Sequence, residues 1–170
     1  MTIKQRILVI SDTHREFLYL EMLHDTIGKI DSIIHLGDVA KDEDYIRSLF
    51  GCPIDMVSGN NDYFANLPGE LTVPIGKHVA FLTHGHGYYV YGGTDRLIQK
   101  AKAVGADIAM FGHTHSPLID TREGIMLINP GSISKPRQPG GQPTYVLLEV
   151  NEAGELRANV GTVTWGAQRK

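Results

Sequence analysis

At 170 residues, 42% hydrophobic and 21% charged, the chain has the size and composition of one ordinary globular domain. A net charge of −3 excludes a global positive field that would draw in nucleic acid or an anionic membrane. The single cysteine, Cys52, excludes an intrachain disulfide and a thiolate zinc cluster.

The first apolar run, residues 7–10, is too short for a signal-peptide core or a membrane span, so a cytoplasmic location is expected. It ends in Ser11-Asp12-Thr13-His14. Residues 16–29 follow, with Phe17, Leu20, Leu23 and Ile27 at helical spacing and Gly28 near the end. A second run, 33–36, ends in Gly37-Asp38, and residues 42–50 read as a second helix. Runs 56–57 and 79–82 end near Gly59-Asn60 and at Thr83-His84. A third helix is predicted over 94–104, with Leu97, Ile98, Ala101 and Val104 as its buried stripe, Thr94 as N-cap and Gly105 as stop. Run 108–111 then ends in Gly112-His113-Thr114-His115. The near-continuous apolar character of these runs predicts buried strands. Beyond residue 115 the pattern turns β-rich: 125–128, 144–150 and 156–163 read as strands, the last two joined by a turn at 151–154. Residues 136–143, rich in proline and glycine, read as an ordered surface loop. Alternation implies parallel strands with right-handed crossovers. The C-terminal meander is expected to form a second sheet packed on the first, within a single domain spanning residues 1–170.

Seven metal-competent residues fall where these runs stop: Asp12, His14, Asp38, Asn60, His84, His113 and His115. In open α/β sheets that is where ligands bind. Taken singly, Asp12 and Asp38 would pass as helix caps or turn residues, Asn60 as a turn former, and His84 as a hydrogen-bonded core histidine. Seven together at strand ends point to metal. Asp12/His14 and His113/His115 are i, i+2 pairs, which in extended chain would each point one way. Carboxylate, imidazole and amide oxygen suit Mn, Fe, Ni, Co or Zn. Seven donors exceed one tetrahedral ion and fit two ions sharing a carboxylate.

Asp12-Thr13-His14, Gly37-Asp38, Gly59-Asn60-Asn61-Asp62, His84-Gly85-His86 and Gly112-His113-Thr114-His115 resemble the calcineurin-like metallophosphoesterase signature, in its small bacterial and archaeal phosphodiesterase branch. Asn129-Pro130-Gly131-Ser132 with Pro136-Arg137 is similar to that branch's later motif. The resemblance implies a four-layer α/β/β/α sandwich of two mixed sheets flanked by helices. It also implies hydrolysis of a phosphodiester by a metal-bridging hydroxide. Two divalent ions, Mn foremost, would be held by Asp12, His14 and His115 on one side and Asn60, His84 and His113 on the other, with Asp38 bridging. A phosphomonoesterase or nucleotidase on the same site is the alternative, as is a non-catalytic scaffold, the role of one related eukaryotic coat subunit.

Many members of the wider superfamily carry histidine after the motif asparagine, where it protonates the leaving oxygen; here the position is Asn61, which has no such acid. Turnover is therefore expected to favour leaving groups of low pKa. The amide of Asn60 has a spare N–H for a phosphate oxygen, and His86, two residues past His84, is the other catalytic candidate. Arg137 would clamp a phosphate or lie exposed in its loop. Tyr88, Tyr89 and Tyr91 would line a substrate cleft or a homo-oligomer contact. His35 reads as a satisfied core histidine, and His24 and His78 as surface. A small phosphate ester is the expected substrate. With no basic, aromatic-laced stripe in the sequence, long nucleic acid is not expected, and neither is a membrane.

Overall fold

The computed structural model describes residues 2–164. Five strands form one sheet in the order β10 (Leu156–Thr162), β9 (Thr144–Asn151), β1 (Ile3–Ile10), β2 (Ser32–His35), β3 (Ile54–Met56). Five more form a second: β4 (Glu70–Ile75), β5 (His78–Thr83), β6 (Ile108–Met110), β8 (Ile125–Pro130), β7 (Pro117–Arg122). Both are mixed. β1, β2 and β3 run parallel, as do β5, β6 and β8, and the remaining pairings are antiparallel.

Strand alternation builds the layers. Along β1, Ile7 and Val9 pack with Ala80, Leu82, Ile108 and Met110 between the sheets. Leu8 and Ile10 face the other way, onto Leu20 and Leu23 of α1 (Leu18–Ile27) and Ile46 of α2 (Glu43–Phe50). On the far side Phe81, Ala109 and Leu127 cover Leu97, Ile98 and Ala101 of α3 (Asp95–Ala103). With both faces of each sheet covered, the central strands are apolar throughout. The layers are α/β/β/α, as the motifs imply.

Three expectations are corrected. The C-terminal hairpin does not make the second sheet: β9 pairs antiparallel with β1 and extends the first, while β5, β6 and β8 carry the second. Strands β4 and β7 escape the sequence reading because they are edge strands with alternating exposure, so neither presents a continuous apolar run. Thr94 occupies the N-cap position of α3, but its hydroxyl makes no capping bond and is buried without a partner. No helix among the described residues is long and apolar enough to cross a membrane.

Candidate metal centre

The strands stop before the candidate donors begin, and the chain changes hand there. Asp12 (φ 57°), His14 (φ 47°), Asp38 (φ 56°), His113 (φ 67°) and His115 (φ 58°) all adopt the left-handed region. Such a conformation costs a non-glycine residue roughly 1–3 kcal/mol and persists where surrounding structure holds it. Five of the seven candidates are thus held in turns. The i, i+2 pairs are consequently not aligned by strand geometry. His113 and His115 diverge: His115 joins Asp12 and His14, while the His113 ring lies against His84 and Tyr91, with centroids 5.1 and 5.0 Å away.

The side chains converge on the Asp12 carboxylate. Its Oδ1 lies 3.1 Å from His115 Nε2, 3.6 Å from His14 Nε2 and 3.8 Å from His84 Nε2. Asp38 Oδ2 lies 3.6 Å from both His14 Nε2 and His84 Nε2. Asp12, His14 and His115 therefore form one compact donor group and Asp12, Asp38 and His84 a second, with Asp12 common to both. Asp12 Oδ1, His84 Nε2 and Asn60 Oδ1 are buried with no hydrogen-bond partner. Buried polar atoms are normally paired, so three orphans in one candidate set fit donors to a cation.

The imidazoles are oriented for that role. His84 Nδ1 donates to the Leu36 carbonyl at 2.6 Å and His115 Nδ1 to the Lys135 carbonyl at 2.6 Å. With the Nδ1 proton used, each Nε2 presents a lone pair toward the carboxylates. Burial pushes the Asp12 carboxyl up, but His115, His14, His84 and Ser11 outweigh it and hold the group far below the usual carboxylate range. Asp12 is ionised there at any working pH. His113 is held below the ordinary histidine range, first by burial and then by its closeness to His84.

Several further side chains position the donor loops through bonds to the backbone. Ser132 and Ser134 Oγ both donate to the Asp12 carbonyl, at 2.9 and 2.8 Å. Asn129 Nδ2 donates to the Gly112 carbonyl at 3.1 Å and its Oδ1 accepts from Gly131 N, fixing the twin-histidine loop. The Asp62 carboxylate accepts N–H bonds from Val39, Ala40 and Gly59, stapling the Asp38 loop to the Asn60 loop. Asn129, Ser132 and Asp62 lie within the motifs and Ser134 just beyond one, but their partners are backbone groups, which cannot be read from a sequence.

The remaining sequence candidates fall close by. Asn61 donates to Asp38 twice, through N to Oδ1 at 2.9 Å and through Nδ2 to Oδ2 at 2.8 Å. His86 opens a 3₁₀ turn (His86–Tyr88), its ring 5.5 Å from His84 and 6.1 Å from His113. Arg137 Nη1 bonds Tyr91 Oη, which in turn donates to the His113 carbonyl at 3.1 Å, so Arg137 stands beside the centre. Tyr88 turns away to Glu70. His35 is buried, accepting from Gly37 N at Nδ1 and facing Thr13 Oγ1 with Nε2; burial lowers its pKa to about 4, so it is a neutral strut. His78 does have a partner, Asp107 Oδ2 at 2.7 Å on the neighbouring loop, a pairing 29 residues apart that local pattern hides.

Two facing sheets with carboxylate and imidazole donors gathered at the ends of their strands define an α/β/β/α sandwich with a candidate metal site. The chain belongs to the calcineurin-like phosphoesterase superfamily, whose domain matches residues 6–153. It is a phosphate-ester hydrolase of a class that uses divalent metal. A Methanocaldococcus jannaschii protein named "Probable metallophosphoesterase" is 38% identical over 136 residues, covering 77% of this chain and 69% of that one. The phosphodiesterase YfcE of Escherichia coli K12 is 38% identical over 74 residues, 43% of this chain and 35% of its own. A solved Streptococcus pneumoniae structure described as a predicted phosphoesterase superposes with a TM-score of 0.78 at 30% identity, covering 95% of this chain and 91% of that one.

Proposed function

We propose that the chain hydrolyses a phosphate diester at a centre of two divalent ions, manganese foremost. Asp12, His14 and His115 would hold one ion and Asn60, His84 and His113 the other, with Asp38 between them. The observation that carries this reading is the set of orphaned donors, Asp12 Oδ1, His84 Nε2 and Asn60 Oδ1, each buried with no hydrogen-bond partner. When bound, two such ions supply charge neutralisation for the phosphate and a nucleophile near neutral pH. The protein's own groups do the rest. The Asn60 amide N–H and Arg137 would grip phosphate oxygens. His86, held below the ordinary histidine range by partial burial and the nearby His84, would stand neutral beside them. The name of the E. coli relative supports a diester over a monoester.

The test is metal reconstitution with Mn, Ni, Fe, Co and Zn, assayed on an aryl phosphodiester and its monoester. Diester hydrolysis strongest with Mn is expected. Faster monoester turnover would favour the phosphomonoesterase reading, and an intact fold inactive with every metal would favour a scaffold.

Asn61 bears on metal affinity. Because its side-chain amide donates to Asp38 Oδ2 beside the bond from its backbone N–H, Asn61→Ala is expected to weaken metal binding about 10–100-fold, the usual cost of losing an orienting partner. Titration calorimetry with Mn checks this; unchanged affinity would show that Asp38 needs no such support.

A further inference from the structure

A cavity of about 300 Å³ opens beside Asp38, lined by Arg15, Lys41, Asn61, Tyr63 and Phe64. Its walls are the continuations of the three loops that carry candidate ligands: Arg15 follows His14, Lys41 lies three residues past Asp38, and Tyr63 and Phe64 follow Asn60-Asn61-Asp62. The cavity is therefore an extension of the centre, joined to it through Asn61, which bonds Asp38 from the cavity wall.

Its chemistry is aromatic and cationic. Tyr63 and Phe64 are 79% and 84% exposed, two large rings left in water next to the site, where burial would normally be favoured. They meet edge to face, centroids 6.4 Å apart at 81°, which leaves ring faces free. Lys41 Nζ lies 5.2 Å from the Phe64 centroid, and Arg15 is oriented through Nε to the Ala40 carbonyl at 3.1 Å. Neither cation forms an ion pair among the described residues. The one carboxylate in the lining, Asp62, is occupied by three backbone N–H groups. Open ring faces stack planar rings of any identity, and unpaired cations take an anion. A volume near 300 Å³ is at the small end for ligand pockets and suits one ring system with its sugar, not a polymer.

We infer that this cavity holds the nucleoside of a nucleotide-type diester, its base stacked on Tyr63 and Phe64 and its phosphate drawn by Arg15 and Lys41. The inference rests on the phosphodiesterase reading and narrows its substrate class.

The experiment compares two diesters with one leaving group: thymidine 5′-(p-nitrophenyl phosphate) and methyl p-nitrophenyl phosphate. Equal leaving groups cancel the chemistry of bond cleavage, so the kcat/KM ratio reads the nucleoside. The ratio is expected to favour the thymidine ester roughly five- to a hundred-fold, the range of base–aromatic stacking. In Tyr63→Ala/Phe64→Ala it should fall toward one. Both side chains are too exposed for their removal to open the core. Hydrolysis with a ratio near one, or a ratio the double variant keeps, overturns the nucleoside site and leaves the phosphodiesterase reading standing. Should neither ester be cleaved with any metal, that reading fails, and calorimetry with thymidine monophosphate in chelator decides the site alone. Binding that the double variant abolishes supports it; no binding overturns it.

Discussion

Asp38→Asn is expected to lower kcat/KM by about three orders of magnitude, and Asp12→Asn by as much, because each removes several kcal/mol of charge stabilisation. His14→Ala should retain at least about ten-fold more activity than either. The ranking follows from position. Asp12 Oδ1 is common to both compact donor groups, and Asp38 Oδ2 stands 3.6 Å from an imidazole of each side. His14, by contrast, touches one group and is partly exposed. Asparagine at position 38 also meets a geometric conflict. Both carboxylate oxygens of Asp38 accept from Asn61, so an amide in either orientation sets its NH2 against a donor. Steady-state kinetics with metal analysis of each purified variant checks the ranking. Equal residual rates in Asp38→Asn and His14→Ala would argue that Asp38 serves one ion only.

How much of this was legible in the sequence differs from residue to residue. Seven candidate donors could be marked because central strands are apolar on both faces, so an apolar run that breaks at Asp12, Asp38, His84 or His113 signals a strand end. The sandwich became legible only through the motifs; hydrophobic pattern alone sent the C-terminal hairpin to the wrong sheet. Alternation along β9 says that one face is buried, and nothing in it says that the neighbour is β1 rather than β8. Edge strands β4 and β7 were silent because water covers much of them. At the centre, the carbonyls of Leu36 and Lys135 orient two histidines, and any residue type has a carbonyl. Asp and His enter the left-handed region more readily than most non-glycine residues, yet few of them do, so only the assembled fold reveals the turns at Asp12, His14, Asp38, His113 and His115. Nothing in the sequence sets Tyr63 and Phe64 apart from core aromatics; their exposure alone does.

Gly59→Ala should cost about 1–3 kcal/mol of stability, the range for overpacking, and reduce activity by at least about a hundred-fold, the upper cost of losing orienting partners at a metal site. The cause is space rather than torsion. Gly59 is absent from the residues with positive φ, so alanine suits the backbone angle there. A Cβ at this position would sit 2.2 Å from Asp38 Oδ1 and 2.4 Å from Asp38 N. The second contact is with backbone and cannot be relieved by a rotamer. The first is with a carboxylate already held by Asn61. Relief therefore requires the 59–62 loop to move away from Asp38. That displaces Asn60, breaks the Asn61 bonds and pulls on the Asp62 carboxylate that joins this loop to Val39 and Ala40. One methyl group thus disturbs both the Asp38 and the Asn60 loops. Gly69 provides the control: nothing lies within 4 Å of its Cβ position, so Gly69→Ala should stay within about 0.5 kcal/mol and keep full activity. Thermal melting of the apo proteins, with metal-reconstituted kinetics beside it, separates the two variants. A Gly59→Ala protein that melts and turns over like the parent would mean the loops have slack that their hydrogen bonds do not reveal.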